Sequence, residues 1–371
     1  MAERVAVVGA GIVGLSTARA LVRQGYEVSV YENGAPGGGQ SAGESRIFRH
    51  AHADERQFEL ALRARREWRE LEEEFGIQLI SPDGSMVIGE GAVARLSRYA
   101  DDPSIEVREL GSDEIAAVLP VFSPYDGPAL IDETAGAIRT RLTLANLIRL
   151  VGTGLIPDRV ESVVALDGGG VDVVGATTGT TRYAAAVVCA GMGTAALADM
   201  SGISIPVETK AHVRLTLSVG GPGRYDRLAC IQDSSGAFGE PAAYGSPVRG
   251  NGEYAVGLPV TTEVESEAGG RSLIDLADRT HAYVHKAFPG LEGPPTTVVH
   301  CWVTELPWAE DGLAVWQNGD AFFISGHNLF KLAPVLAKTL ARSVVAGEVE
   351  PGFRPEDRLG ATEPEHASPA G

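Results

Sequence analysis

The sequence predicts an α/β protein: a parallel sheet layered with helices, joined to a second domain built on an antiparallel sheet. Three observations carry this. Val5-Ala6-Val7-Val8 is an unbroken apolar run that meets glycines at Gly9, Gly11 and Gly14. A second short strand, begun by Val28 and Val30, ends in the acid Glu32. From Pro206 to Leu258 the hydrophobic period changes to two, with Val213, Leu215, Leu217 and Val219 alternating with polar residues.

The first stretch reads residue by residue. A strand without a polar face belongs inside a parallel sheet. Gly9 permits the sharp turn, Gly11 lets a pyrophosphate approach the backbone, and Gly14 lets the following helix pack close to the strand. That helix runs to about Gln24, with Ile12, Leu15, Ala18, Leu21 and Val22 at helical spacing, and its N-terminal dipole faces the phosphates. Gly25 closes it. Glu32, about 20 residues on, stands where a carboxylate accepts the ribose hydroxyls, which makes the unit a Rossmann-type dinucleotide site.

Beyond a glycine-rich loop, Gly34 to Gly43, come Arg46 and Arg49. In a helical turn the two would project to one side as a cationic patch for an anionic cofactor or a substrate carboxylate. Asp54 to Phe75 reads as an amphipathic helix with Phe58, Leu62, Trp68, Leu71 and Phe75 on its apolar stripe. Ile77 to Ile88, with Ser81-Pro82-Asp83-Gly84 as the turn, reads as a hairpin. Two short helices and a short strand follow between Ala92 and Ala137, then a helix from Arg141 to Val151. Val160 to Leu166, Val171 to Val174 and Thr180 to Tyr183 form an antiparallel meander. Val187-Val188-Cys189 returns to the first sheet beside the cofactor, and Cys189 reads as a core residue.

In the second domain Asn251-Gly252 marks a hairpin. A helix over Ser272 to Phe288 carries His281 and His285 one turn apart, without the third ligand a metal needs. Thr296 to Val303 is a strand. Phe322 to Lys331 repeats the pattern of strand, glycine and helix start, and Pro334 opens the last helix, which runs to about Ala346. The predicted domains are discontinuous: 1–82, 143–206 and 300–356 for the cofactor, 83–142 and 207–299 for the substrate. Residues 357–371, poor in large apolar groups, are expected to form a disordered tail.

Composition narrows the partners. The chain has 371 residues, 44% of them hydrophobic, and a net charge of −18, which argues against nucleic acid or an anionic membrane as partner. No segment approaches the ~20 apolar residues of a membrane span, and the apolar N-terminus lacks the basic flank of a targeting signal. Cys189, Cys230 and Cys301 are far apart, as expected for reduced thiols in the cytoplasm. Only Lys210, Lys286, Lys331 and Lys338 are lysines, so lysine chemistry has few candidates.

The chain resembles the flavin-dependent amine oxidases of the D-amino-acid oxidase (DAO) superfamily, particularly the monomeric sarcosine oxidase branch. Gly9, Gly11, Gly14, Ala18, Leu21, Gly25, Val28 and Glu32 match its FAD fingerprint. Ser45-Arg46-Ile47-Phe48-Arg49-His50-Ala51 looks like the branch's Thr-Arg-Ile-Ile-Arg-His-Ala stretch. The resemblance implies a DAO/glutathione-reductase-like two-domain fold, FAD as cofactor, a monomer, and oxidation of a C–N bond in a carboxylate-bearing amine, with oxygen giving hydrogen peroxide. It implies that Arg46 lies against the flavin, that Arg49 and Lys331 bind the substrate carboxylate, and that Tyr244 belongs to the substrate site. His327 and His52 are candidate bases. Cys301, in Val299-His300-Cys301-Trp302-Val303-Thr304, is implied to carry FAD covalently. Ile12, Val13, Ser41, Ser45, Val160, Gly191 and Gly326 complete the implied cofactor contacts.

The chain departs from that pattern. Ala255 falls where the family has an oxygen-activating lysine, Pro259 where it has a histidine, and His52 where it has a tyrosine. These departures point away from sarcosine as substrate, and they open the acceptor, with Lys210 as a substitute cation for oxygen. A cyclic-imine desaturase, an amine dehydrogenase with another acceptor, an NAD-dependent dehydrogenase on the same N-terminal unit, and a catalytically silent flavin-binding protein are the rival readings.

Overall fold

The computed structural model describes residues 3–221, 225–248, 250–263 and 267–362. Its first sheet places Arg4–Val8 between Glu27–Glu32 and Ala185–Val188, all parallel. Leu155–Pro157 extends one edge, and Ala321–Gly326 with antiparallel Leu313–Asn318 extends the other. Alternation along the central strand explains why it has no polar face: Val5 and Val7 enter one core, Ala6 and Val8 the other. On the first side lie helices Ile12–Arg23, Glu55–Phe75, Thr140–Val151 and Ala333–Ala346. On the second lies the meander Val160–Ala165, Val171–Gly175 and Gly179–Tyr183.

The large second sheet has nine strands. Glu208–Val219 pairs antiparallel with Glu253–Gly257 and, along most of its length, with Leu291–Glu305. Ala243–Pro247 and Cys230–Asp233 continue the sheet, followed by Ser85–Ile88, Ala129–Asp132 and Val107–Glu109. Ala211, Val213, Leu215 and Leu217 point to helix Glu267–Ala287, where Leu273, Leu276, Tyr283 and Val284 cover them. The period of two therefore sends His212 and Arg214 to the opposite face, towards the first sheet.

Several expectations are corrected. Ser45–Phe48 is a strand paired with Gly136–Arg139, not a helical turn, so Arg46 and Arg49 are not stacked on one helical side. Ile77 to Ile88 is not a hairpin: Ser85–Ile88 pairs with Cys230–Asp233 and Ala129–Asp132, while Ile80 makes a single bridge to Ile138. Local turn chemistry was right at Gly84 (φ +83°), but the partners come from distant chain. Val22 is 50% exposed and lies off the apolar stripe. Strand Leu291–Glu305 runs through the boundary expected at 299/300, because Glu208–Val219 offers it a continuous partner. Residues 357–362 are packed rather than loose: Leu359 is buried, Gly360 N–H donates to Asp54, and Arg56 reaches the carbonyls of Asp357 and Arg358. The rest of the expected tail, 363–371, lies outside the described residues.

Candidate active site

The two sheets enclose a cavity of about 1410 Å³, beyond the roughly 300–1,000 Å³ of ordinary small-molecule sites and in keeping with a dinucleotide plus a substrate. Gly9, Gly11, Ile12, Val13, Glu32, Ser41, Val160 and Gly191 line it. So do Arg46, Arg49, Tyr244, Cys301, Gly326, His327 and Lys331. Gly14 stands just behind, packed on Gly9. Ser45 does not line the cavity; it is buried behind Ser246, which does, and the two hydroxyls bond at 2.9 Å.

The nucleotide end fits FAD on several counts. A Cβ on Gly14 would fall 1.9 Å from the Gly9 carbonyl oxygen, so only glycine permits this approach of helix to strand. Gly9 has φ +102°, a region side chains avoid. Glu32 accepts from the Ala10 and Gly34 amides at 2.8 and 2.9 Å, which fixes the carboxylate at the strand end. Helix Ile12–Arg23 has no side-chain cap at Gly11. Its Ile12 amide donates to the Ser41 hydroxyl at 2.9 Å.

The other end is cationic. Arg46 bonds the carbonyls of Ser45, Gln40 and Ala42, and Arg214 donates to the Ser45 carbonyl and is 6% exposed. Burial, then the charge of Arg214, lowers the Arg46 guanidinium to about 10. Neither arginine has a carboxylate partner among the described residues, and the Arg214 Nε is buried without a hydrogen bond. The Tyr244 hydroxyl is likewise unpartnered, and burial with the neighbouring Cys301 pushes it above its ordinary range. Unsatisfied buried donors of this kind mark a place for a polar ligand.

Arg49 donates to Asp311 Oδ2 at 2.7 Å, and Lys331 Nζ stands 3.8 Å from the same oxygen. Burial, with help from Arg49 and against Asp311, lowers the Lys331 ammonium to about 7. Burial alone would raise the Asp311 carboxyl, but Lys331, Arg49 and the His52 ring hold it well below the ordinary carboxylate range.

His52 does not line the cavity. It is 1% exposed, sits behind Asp311 at 3.4 Å, and is pushed down to about 3 by burial and the charges of Lys331 and Arg49. Burial therefore removes it from the candidate bases. His327 remains in the wall, its Nδ1 3.2 Å from the Glu310 carbonyl, with its ring lowered by burial. Lys210 is not the substitute cation. It pairs with Glu305 at 2.8 Å and Glu208 at 2.9 Å and is absent from the cavity wall.

Sequence reasoning missed Asp311, Arg214 and His212. Arg214 and His212 were signalled by their alternation with Val213 and Leu215, which places them on the uncovered face. Asp311 was signalled only by the Glu310-Asp311-Gly312 turn ahead of a strand.

Fold and cavity together define a flavoprotein-type oxidoreductase, with a dinucleotide sheet facing a substrate sheet. Residues 4–343 match the model of the DAO family, FAD dependent oxidoreductase, and the chain belongs to that family. This excludes the nicotinamide reading. The chain is 27% identical over 367 residues to human peroxisomal sarcosine oxidase, covering 90% of each. Among solved structures it resembles NikD, an unusual amino acid oxidase essential for nikkomycin biosynthesis, with TM-score 0.78, 20% identity, and coverage of 92% of this chain and 94% of that one. Glycine oxidase from Geobacillus kaustophilus aligns with TM-score 0.73 and 19% identity over 98% of this chain and all of the other, so these likenesses carry the fold. Among the described residues no helix is long and apolar enough to cross a membrane.

Proposed function

We propose that the protein oxidises a C–N bond in a carboxylate-bearing secondary or cyclic amine or amino acid, giving an imine. The observation that carries this reading is the convergence of Arg49 and Lys331 on one carboxylate oxygen, that of Asp311, in the wall that also holds the cofactor residues. Two cations so disposed will orient a substrate carboxylate, and a fixed carboxylate fixes the neighbouring C–N bond. Sarcosine, glycine and an amino acid, in the names of the relatives, are carboxylate-bearing amines.

FAD held by these residues would supply the two-electron acceptor for the hydride of the carbon next to nitrogen. The chain's own residues do the rest. Gly9, Gly11 and Glu32 receive the dinucleotide; Arg46 and Arg214 supply positive charge to an electron-rich ring; Tyr244 offers its unpartnered hydroxyl to the substrate. Cys301, half-buried in the wall beside Arg46 and Tyr244, is the proposed point of covalent attachment. The proposed acceptor is dioxygen, reduced to hydrogen peroxide. With Lys210 neutralised by two glutamates, half-buried Arg46 and buried Arg214, which have no carboxylate partner among the described residues, would favour negative charge developing beside them.

The test is anaerobic mixing of the purified flavoprotein with N-methyl and cyclic amino acids and with their methyl esters. Acids should bleach the flavin and esters should not, and air should restore the colour with release of peroxide. Equal bleaching by esters would remove the carboxylate from the mechanism. A flavin that none of the amines reduces would instead favour the catalytically silent reading.

A further inference from the structure

The carboxylate of Asp311, in the cavity wall, faces three basic side chains at once. Its Oδ2 takes the Arg49 guanidinium at 2.7 Å and faces Lys331 Nζ at 3.8 Å and His52 Nδ1 at 3.4 Å. Its Oδ1 accepts from Asn328, and its backbone carbonyl accepts from the Gln57 side chain, so the residue is pinned from three elements. Arg49 is held in turn by the Ala51 carbonyl at 2.7 Å.

We propose that Asp311 is the positioning residue of the carboxylate clamp: it orients Arg49 and Lys331 and sets their joint charge, so that the site selects amino acids presenting a single carboxylate there. This rests on the carboxylate-bearing substrate proposed above. Arg49 and protonated Lys331 contribute two positive charges and Asp311 one negative, which leaves one for the substrate to neutralise.

The same residue governs the proton on Lys331. Arg49 and His52 face the ammonium from the segment after strand Ser45–Phe48, Glu310 and Asp311 from the loop before Leu313–Asn318, and His327 from the end of Ala321–Gly326. Arg95, on helix Glu90–Ser97, feels both Arg49 and Asp311. Burial and Arg49 expel the proton, while Asp311, ahead of Glu310, retains it. Since the clamp needs the ammonium, carboxylate binding weakens as pH rises through about 7, and removing the Asp311 charge moves that limb to lower pH.

The experiment uses holoenzyme and two carboxylates that lack nitrogen and cannot be oxidised, propionate and malonate, titrated by the change in flavin absorbance across neutral pH. Wild type should prefer propionate and lose it on the alkaline side. Asp311→Asn should shift the limb down by about 1 pH unit and, at the acid end, move the propionate-to-malonate ratio about tenfold towards malonate. Asp311→Glu should restore the wild-type limb, which a purely structural defect would not allow. Lys331→Arg, a permanent cation, should abolish the limb with Asp311 in place, and gives the answer should Asp311→Asn fail to load flavin. An unshifted limb and ratio in Asp311→Asn, or a limb that persists in Lys331→Arg, overturns the inference alone. Failure of wild type to bind either probe overturns the carboxylate reading and the inference with it.

Discussion

Arg46 and Arg214 each donate an N–H to the same acceptor, the carbonyl oxygen of Ser45, both at 2.9 Å. They come from different sheets and share that oxygen without a carboxylate partner among the described residues. Like charges are held together here by the fold, and the result is a surplus of positive charge, buried at Arg214 and half-buried at Arg46, in a protein of net charge −18.

Such a pair favours negative charge placed beside it. Arg214→Met should lower the reduction potential of bound flavin by about 30 mV for each tenfold loss of preference for the reduced form. It should also weaken sulfite binding to the oxidised cofactor. Spectroelectrochemistry reads the first and titration the second. A potential equal to wild type would show that Arg214 is merely structural.

Arg49→Ala should raise KM for a carboxylate substrate by roughly 10- to 100-fold, the scale of a charged hydrogen bond of about 1.5–3 kcal/mol. Bound flavin should be unchanged, because Arg49 meets Asp311 and Ala51 rather than the nucleotide loop. Steady-state kinetics on flavin-matched samples decide this, and an unaltered KM contradicts the clamp.

Cys301→Ser should convert acid-stable flavin into flavin released on acid precipitation. The Cys301 thiol is partly exposed in the cavity wall; Cys189, which also lines the cavity, and Cys230 are buried and their thiols pushed up by burial, which disfavours the thiolate at either. Mass spectrometry of the wild-type Cys301 peptide without added flavin mass would remove the linkage.

Gly14→Ala should yield protein that retains little FAD and melts earlier, since the new Cβ would overlap the Gly9 carbonyl and push the helix off the strand. Gly25→Ala makes a useful comparison. Its φ is +91°, but nothing lies within 4 Å of a Cβ there, so it should lose stability without losing cofactor. Flavin content and thermal melting measure both, and full FAD occupancy in Gly14→Ala would argue against the assigned phosphate turn.

What the sequence determined by itself is what short-range chemistry dictates. Glycines at Gly9 and Gly14 permit the positive-φ turn and the close helix approach that follow the apolar strand, and the alternation around Val213 to Val219 marks one covered face. The phosphate turn, the acid at Glu32, the meander from Val160 and the last helix opened by Pro334 were therefore legible. Tertiary structure alone decided which distant charges meet. Ser45–Phe48 became a strand because Gly136–Arg139 was there to pair with it, and that pairing turned Arg46 towards Arg214. The loop ahead of Leu313 brought Asp311 between Arg49 and Lys331, and burial took His52 out of reach. Pairing and burial depend on segments far apart in the chain, 262 residues for Arg49 and Asp311, while a charged residue carries no local periodic signal of its eventual partner. The chain thus announced its cofactor fold locally and, through its resemblance, named Arg49 and Lys331, whereas Asp311 between them became visible only in three dimensions.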